Sequence, residues 1–163
     1  MPLERRRFVV RSLKEPKEKD LNKDIMNEEI LKLVDWQNER FGYYEDTDTD
    51  EMVIMAEEYF DLDVEKILYP TTNELKKELA DGNLVIVPVD GQALPNPYFR
   101  QPGPPYHVLV ITGYESDEFI TNDPGTKRGG SFRYKYEDLV KVIHDYNGGD
   151  IHNGIPQVII VNQ

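Results

Sequence analysis

The chain has 163 residues, 39% of them hydrophobic, and 31 acidic against 19 basic side chains for a net charge of −12. That length suits one domain, residues 1–163, with a real core, and the apolar content excludes a disordered chain. The charge disfavours general affinity for nucleic acid or an anionic membrane surface.

No run approaches the roughly 20 apolar residues that a membrane span needs. The N-terminus has no apolar stretch of signal-peptide type, so the expected location is cytoplasmic. Cysteine is absent, which excludes disulfides, thiolate metal sites and a cysteine nucleophile within this chain.

The charge is unevenly placed. Residues 1–20 hold seven basic and four acidic side chains, so a basic N-terminal segment, residues 1–21, precedes a strongly acidic remainder. Residues 3–13 read either as a short helix or, through Phe8-Val9-Val10, as the start of a strand. Arg5-Arg6-Arg7 reads as a solvated face. A charged connector with Pro16 leads to a helix over about 24–40, where Met26, Ile30, Leu33, Val34 and Gln37 fall near one face and Gly42 is the stop.

Asp48 and Glu51 stand at capping-box spacing before a helix that runs to about Phe60. The series Asp46, Asp48, Asp50 with Glu57 imitates a calcium-loop spacing, but Glu51 stands where the loop needs glycine, so a capped helix start is the better reading. Residues 64–69 are expected as a strand. Thr71 and Glu74 repeat the capping-box spacing before a helix stopped by Gly82.

Residues 84–89 read as a buried strand. The proline-rich segment 90–105 follows as a long loop with Tyr98 and Phe99 exposed. Strands are expected near 106–114, 118–123, 131–136 and 157–161, and a helix over 137–146. Helices before strands give an α+β domain.

Candidate chemistry centres on a hairpin. Val108 to Ile111 is short and β-branched, Glu115-Ser116-Asp117 breaks it, and a second apolar stretch follows, so two antiparallel strands are expected with a turn near Ser116. That pairing places His107 and Asp123 directly or diagonally opposite, about 5–8 Å apart between Cβ atoms. A carboxylate there can fix the imidazole tautomer and leave the other ring nitrogen as a general base. Pro124-Gly125 suits a type II turn with φ > 0 at the glycine.

The plainer reading of His107 is a satisfied residue at a strand start, and of Asp123 a turn initiator. His144 is expected at a helix end as a dipole partner, and His152 in a surface loop. These three histidines have no zinc-like spacing, and neither a metal nor a cofactor is expected. Residues 125–131 are glycine-rich and basic without phosphate-loop order, and read as a mobile connection. Ser12 and Ser131 lack the strained strand-to-helix setting of a nucleophilic serine.

The pattern Asn83-Leu84-Val85-Ile86-Val87-Pro88, a proline-rich loop, His107-Val-Leu-Val-Ile-Thr-Gly-Tyr and Asn122-Asp123-Pro124-Gly125 resembles the bacteriocin-processing cysteine peptidase-like family of the papain-like superfamily. The resemblance covers about residues 22–146. It implies a papain-like α+β fold with N-terminal helices packed on an antiparallel sheet, a peptide or protein as substrate or ligand, His107 as base and Asp123 as orienting acid. In that family a cysteine at the start of a central helix is the nucleophile and a glutamine helps form the oxyanion hole. This chain has no cysteine and no glutamine before Gln37. Two readings stay open: a peptidase-like hydrolase represented without its nucleophile, or a non-catalytic module that binds a peptide or partner.

Overall fold

The structure, a computed structural model, describes residues 22–163. The expectations for residues 3–13, for Arg5 to Arg7 and for Ser12 lie outside the described residues.

Helix α1, Lys23–Phe41, starts at Asn22, whose side chain accepts from the backbone N–H groups of Asp24 and Ile25. These are orphan donors of the first turn, and an asparagine cap satisfies them. The helix stops at Gly42 with φ +87°, a conformation that costs glycine nothing. Trp36 packs against Tyr59 with ring centroids 5.4 Å apart, and Arg40 pairs with Glu58. These contacts lie in the C-terminal half of α1, so Ile30, expected on the buried face, is 52% exposed.

Helix α2, Thr49–Ile54, continues as a π-helical turn, Met55–Tyr59. Strand β1, Val64–Leu68, precedes α3, Thr72–Ala80. Both helices have the expected capping boxes, Asp48 with Glu51 and Thr71 with Glu74. On α3, Leu75 and Leu79 are four apart and fully buried, each stabilising by about 2 kcal/mol.

The remaining strands are β2, Leu84–Asp90, β3, Tyr106–Glu115, β4, Glu118–Asn122, β5, Gly130–Lys135, and β6, Gln157–Val161. They join β1 in one six-stranded sheet of order β1-β6-β2-β3-β4-β5, antiparallel at every pairing. Helix α2 contacts β6, and α3 contacts β2 and β3. The fold is therefore the expected α+β arrangement of helices on an antiparallel sheet. Val85, Val87, Val89, Leu109, Ile111 and Phe119 build the main core with Leu75 and Leu79, while Leu84, Val110 and Val161 form a smaller cluster with Leu62, Val64 and Ile86.

The helix expected over 137–146 is shorter: α4 spans Tyr136–Val140. Strand β6 pairs with β2 only along Leu84–Ile86, which leaves backbone groups of Pro88 and Asp90 open. Residues 142–144 satisfy them: Asp90 donates its N–H to Val142 O at 2.9 Å and His144 donates to Pro88 O at 3.1 Å. The need to pair buried backbone groups outweighs helix propagation there. Among the described residues no helix is long and apolar enough to cross a membrane.

Candidate functional site

Hairpin β3-β4 pairs Val110 with Asn122 and Glu115 with Glu118, with a bulge between Ile111 and Gly113. Asp123 follows the end of β4 and lies diagonal to His107. Their side chains meet, with His107 Nε2 2.6 Å from Asp123 Oδ1. The aspartate side chain is completely buried and that of the histidine 11% exposed. His107 Nδ1 has no hydrogen-bond partner among the described residues.

The backbone around Asp123 is closed by glycines. Asp123 donates its N–H to Gly129 O at 2.9 Å, and Gly129 donates to Thr126 O at 3.3 Å. A Cβ on Gly129 would stand 1.5 Å from Asp123 O, so no other residue fits without moving the backbone. The expected type II turn is not formed, because Gly125 is not among the residues with positive φ. Instead the Gly125 N–H donates to Asp123 Oδ1 at 2.9 Å, an Asx-type turn. Glycine is needed there for closeness, since a Cβ would lie 2.7 Å from Phe99 Cε1 and 3.0 Å from His107 Cε1.

Three residues that sequence reasoning missed complete the site. Tyr134 on β5 donates its hydroxyl to Asp123 Oδ2 at 2.6 Å. Asn96, buried in the loop after β2, donates Nδ2 to the Tyr134 oxygen at 2.7 Å. Phe99 was expected to be exposed, but it is 7% exposed and packs edge-on against the His107 ring at 5.3 Å between centroids. The loop turns it inward because Asn96 Oδ1 accepts the Tyr98 N–H at 2.9 Å, leaving Tyr98 as the exposed ring of the pair. The alternation of β5 was the available signal for Tyr134, which pairs with Phe119 and shares its face.

Burial raises the Asp123 pKa, but hydrogen bonds from His107, Tyr134 and Gly125 outweigh it and hold the group below the ordinary carboxylate value. Tyr134 is pushed well upward, first by burial and then by the neighbouring Asp123, so its hydroxyl remains a donor. An imidazole held this way keeps Nε2 on the carboxylate and presents Nδ1 as its available proton acceptor.

The other histidines stand apart. His144 is past the end of α4 rather than at a helix terminus, and its Nδ1 donates to Gly154 O at 2.9 Å. His152 is exposed in the 3-10 turn Ile151–Asn153. No group of three or more candidate metal ligands occurs among the described residues. Ser131 is exposed at the start of β5, its N–H bonded to Asn122.

The sequence pattern of the peptidase C39-like family matches residues 8–148. The chain belongs to this peptidase C39-like family, and it contains no cysteine. The solved structure of a protein assigned as a C39-like peptidase from Bacillus anthracis is 16% identical, with a TM-score of 0.48 over 67% of this chain and 56% of that one. The chain therefore matches little more than half the length of that protein. No curated protein matches it.

Proposed function

We propose that His107 and Asp123 are the base and orienting acid of a papain-type site for peptide or amide hydrolysis, whose thiol this chain does not supply. The observation that carries this reading is the 2.6 Å contact between His107 Nε2 and Asp123 Oδ1, with Nδ1 unengaged among the described residues. In such a site Nδ1 takes the thiol proton as sulfur attacks the scissile carbonyl, and later protonates the leaving amine. The paired carboxylate holds the ring and stabilises the imidazolium.

Without a cysteine the base has no thiol to activate, so the chain alone is inert toward peptides. Family membership supports the hydrolase class, and the preserved hydrogen bonding of Asp123 supports a site kept in working geometry. Binding without cleavage, by a non-catalytic peptide-binding module, is what the same groups provide while no thiol is present.

The test is completion. The chain is assayed alone, and again with the cysteine-bearing helix of a C39-like peptidase joined ahead of it, against a peptide cleaved by the donor enzyme. The expected outcome is no cleavage by the chain alone, and cleavage by the joined protein that falls roughly 100-fold or more with His107→Ala. Cleavage by the cysteine-free chain, or a joined protein indifferent to His107, overturns the reading.

A further inference from the structure

The loops beside His107 have a charge opposite to that of the rest of the molecule. Residues 91–105 and 124–129 both approach the histidine, through Phe99 and Gly125. At the chain's average of 31 acids in 163 residues, their 21 positions would carry about four. They carry none, and hold Arg100, Lys127 and Arg128. All three bases are exposed, and no carboxylate pairs with any of them among the described residues.

Arg128 is held in place. Its guanidinium carbon lies 4.9 Å from the centroid of the Tyr98 ring, and the Arg128 backbone N–H donates to Thr126 Oγ1 at 3.1 Å. Tyr98 is fixed in turn by Asn96 and by an edge contact with Phe132 at 6.0 Å. Neighbouring Phe99 packs on His107, so the Tyr98-Arg128 contact bridges the two loops at the histidine. A guanidinium held over a ring and paired with no carboxylate among the described residues keeps N–H donors for a ligand carboxylate, which it can receive through two parallel hydrogen bonds.

We propose that this rim binds an acidic peptide segment, with Arg128 as its main anchor and Arg100 and Lys127 adding charge. This assigns a ligand class to the peptidase-type site and rests on that reading. The net charge of −12 is not an obstacle at physiological ionic strength, where charges more than about 8 Å away are largely screened. The densest acidic stretch, residues 45–65, holds ten acids and no base. It approaches β3 where Thr47 O accepts the Tyr106 hydroxyl at 2.8 Å. Tyr106 precedes His107 in the strand, so its side chain leaves the opposite face. A basic peptide would be drawn to that stretch rather than to the rim.

The experiment uses the full chain and three fluorescent nonapeptides that differ only at three central positions, occupied by Glu, Gln or Lys. Anisotropy titrations at 0.15 M ionic strength are run beside NMR spectra of the His107 ring. The Glu peptide is expected to bind roughly tenfold tighter than the Gln peptide, to shift the His107 signals, and to lose most of that advantage with Arg128→Gln or in 0.5 M salt. Glu57→Gln, an exposed change in the acidic stretch, leaves the preference intact. Equal affinity for the Glu and Gln peptides, tighter binding of the Lys peptide, no binding of any peptide, or a short oligothymidylate that outcompetes the Glu peptide overturns the proposal. If Glu and Gln peptides bind equally and both shift His107, the acidic preference fails while the peptidase reading stands. If the Glu peptide binds through Arg128 without shifting His107, the rim stands and the peptidase reading fails.

Discussion

Asp123 and Asp145 are two buried aspartates built by the same local device, yet their surroundings give them different work. Each backbone is closed by a loop that returns over it: Asp123 donates its N–H to Gly129 O and Asp145 donates to Ile155 O, both at 2.9 Å. In each a glycine presses on the aspartate carbonyl, and an added Cβ would stand 1.5 Å from Asp123 O at Gly129 and 2.0 Å from Asp145 O at Gly154. The partners diverge. Asp145 accepts from the Thr49 N–H at 2.9 Å and hydroxyl at 2.7 Å, from the Tyr146 N–H at 2.8 Å and from Gln157 Nε2 at 2.6 Å.

Those donors are neutral, so Asp145 ties the start of α2 to β6 as a joint of the fold. Asp123 bonds Tyr134, Gly125 and an imidazole whose other nitrogen is unengaged among the described residues. A buried, fully bonded carboxylate is therefore no sign of a functional site by itself. The imidazole partner is what separates the two.

The strongest way to break this comparison is to add a methyl group at each glycine. Gly129→Ala and Gly154→Ala each force backbone apart, with an expected loss of about 3 kcal/mol or more in denaturant unfolding. The two variants should differ at the histidine. Gly129→Ala displaces Asp123 and shifts the NMR signals of the His107 ring, whereas Gly154→Ala leaves them in place wherever the fold persists. Equal disturbance of His107 by both changes would mean that the two joints form one mechanical unit.

A smaller change sharpens the comparison from the side of Asp123. Tyr134→Phe removes the donor to Asp123 Oδ2 and strands Asn96 Nδ2, which is buried. Each of these two orphaned groups costs about 1 kcal/mol or more, and thermal or chemical unfolding will report it. The variant also releases Asn96 from β5 while leaving its bond to Tyr98 intact. If Asn96 transmits order between the site and the loop, amide exchange should quicken at Tyr98 and Phe99; unchanged exchange there would make Tyr134 a partner of Asp123 alone.

Where a local rule decides the outcome, the sequence foretells the structure. Both capping boxes lie three residues apart in the chain, and Gly42 and Gly82 adopt the positive φ expected of helix stops. The meeting of His107 with Asp123 follows from a two-strand register with a turn near Ser116. What stayed hidden depends on contacts between distant segments. Asn96 reaches Tyr134 across 38 positions, through a proline-rich loop whose path no periodicity describes, and that path also buries Phe99. The end of α4 is decided by the open backbone of Pro88 and Asp90, and the Pro-Gly turn by how closely Phe99 and His107 approach Gly125.

The smallest expected effect is acid sensitivity, and its sign follows from Asp123. The folded-state pKa lies below the ordinary value despite burial, because His107, Tyr134 and Gly125 bond the charged form. A depressed carboxylate contributes stability that is present above its unfolded value of about 3.9 and lost as pH falls through the folded one. The wild-type chain should therefore lose stability on acidification from about pH 4 downward. Asp123→Asn cannot hold that charge, so it starts less stable at pH 7 and lacks this component of the acid loss. Denaturant midpoints for the two proteins at pH 5, 4 and 3 should show a gap that narrows below about pH 4. A gap that stays constant between pH 5 and pH 3, or widens over that range, would show that the carboxylate of Asp123 is not held in its charged form by these three donors.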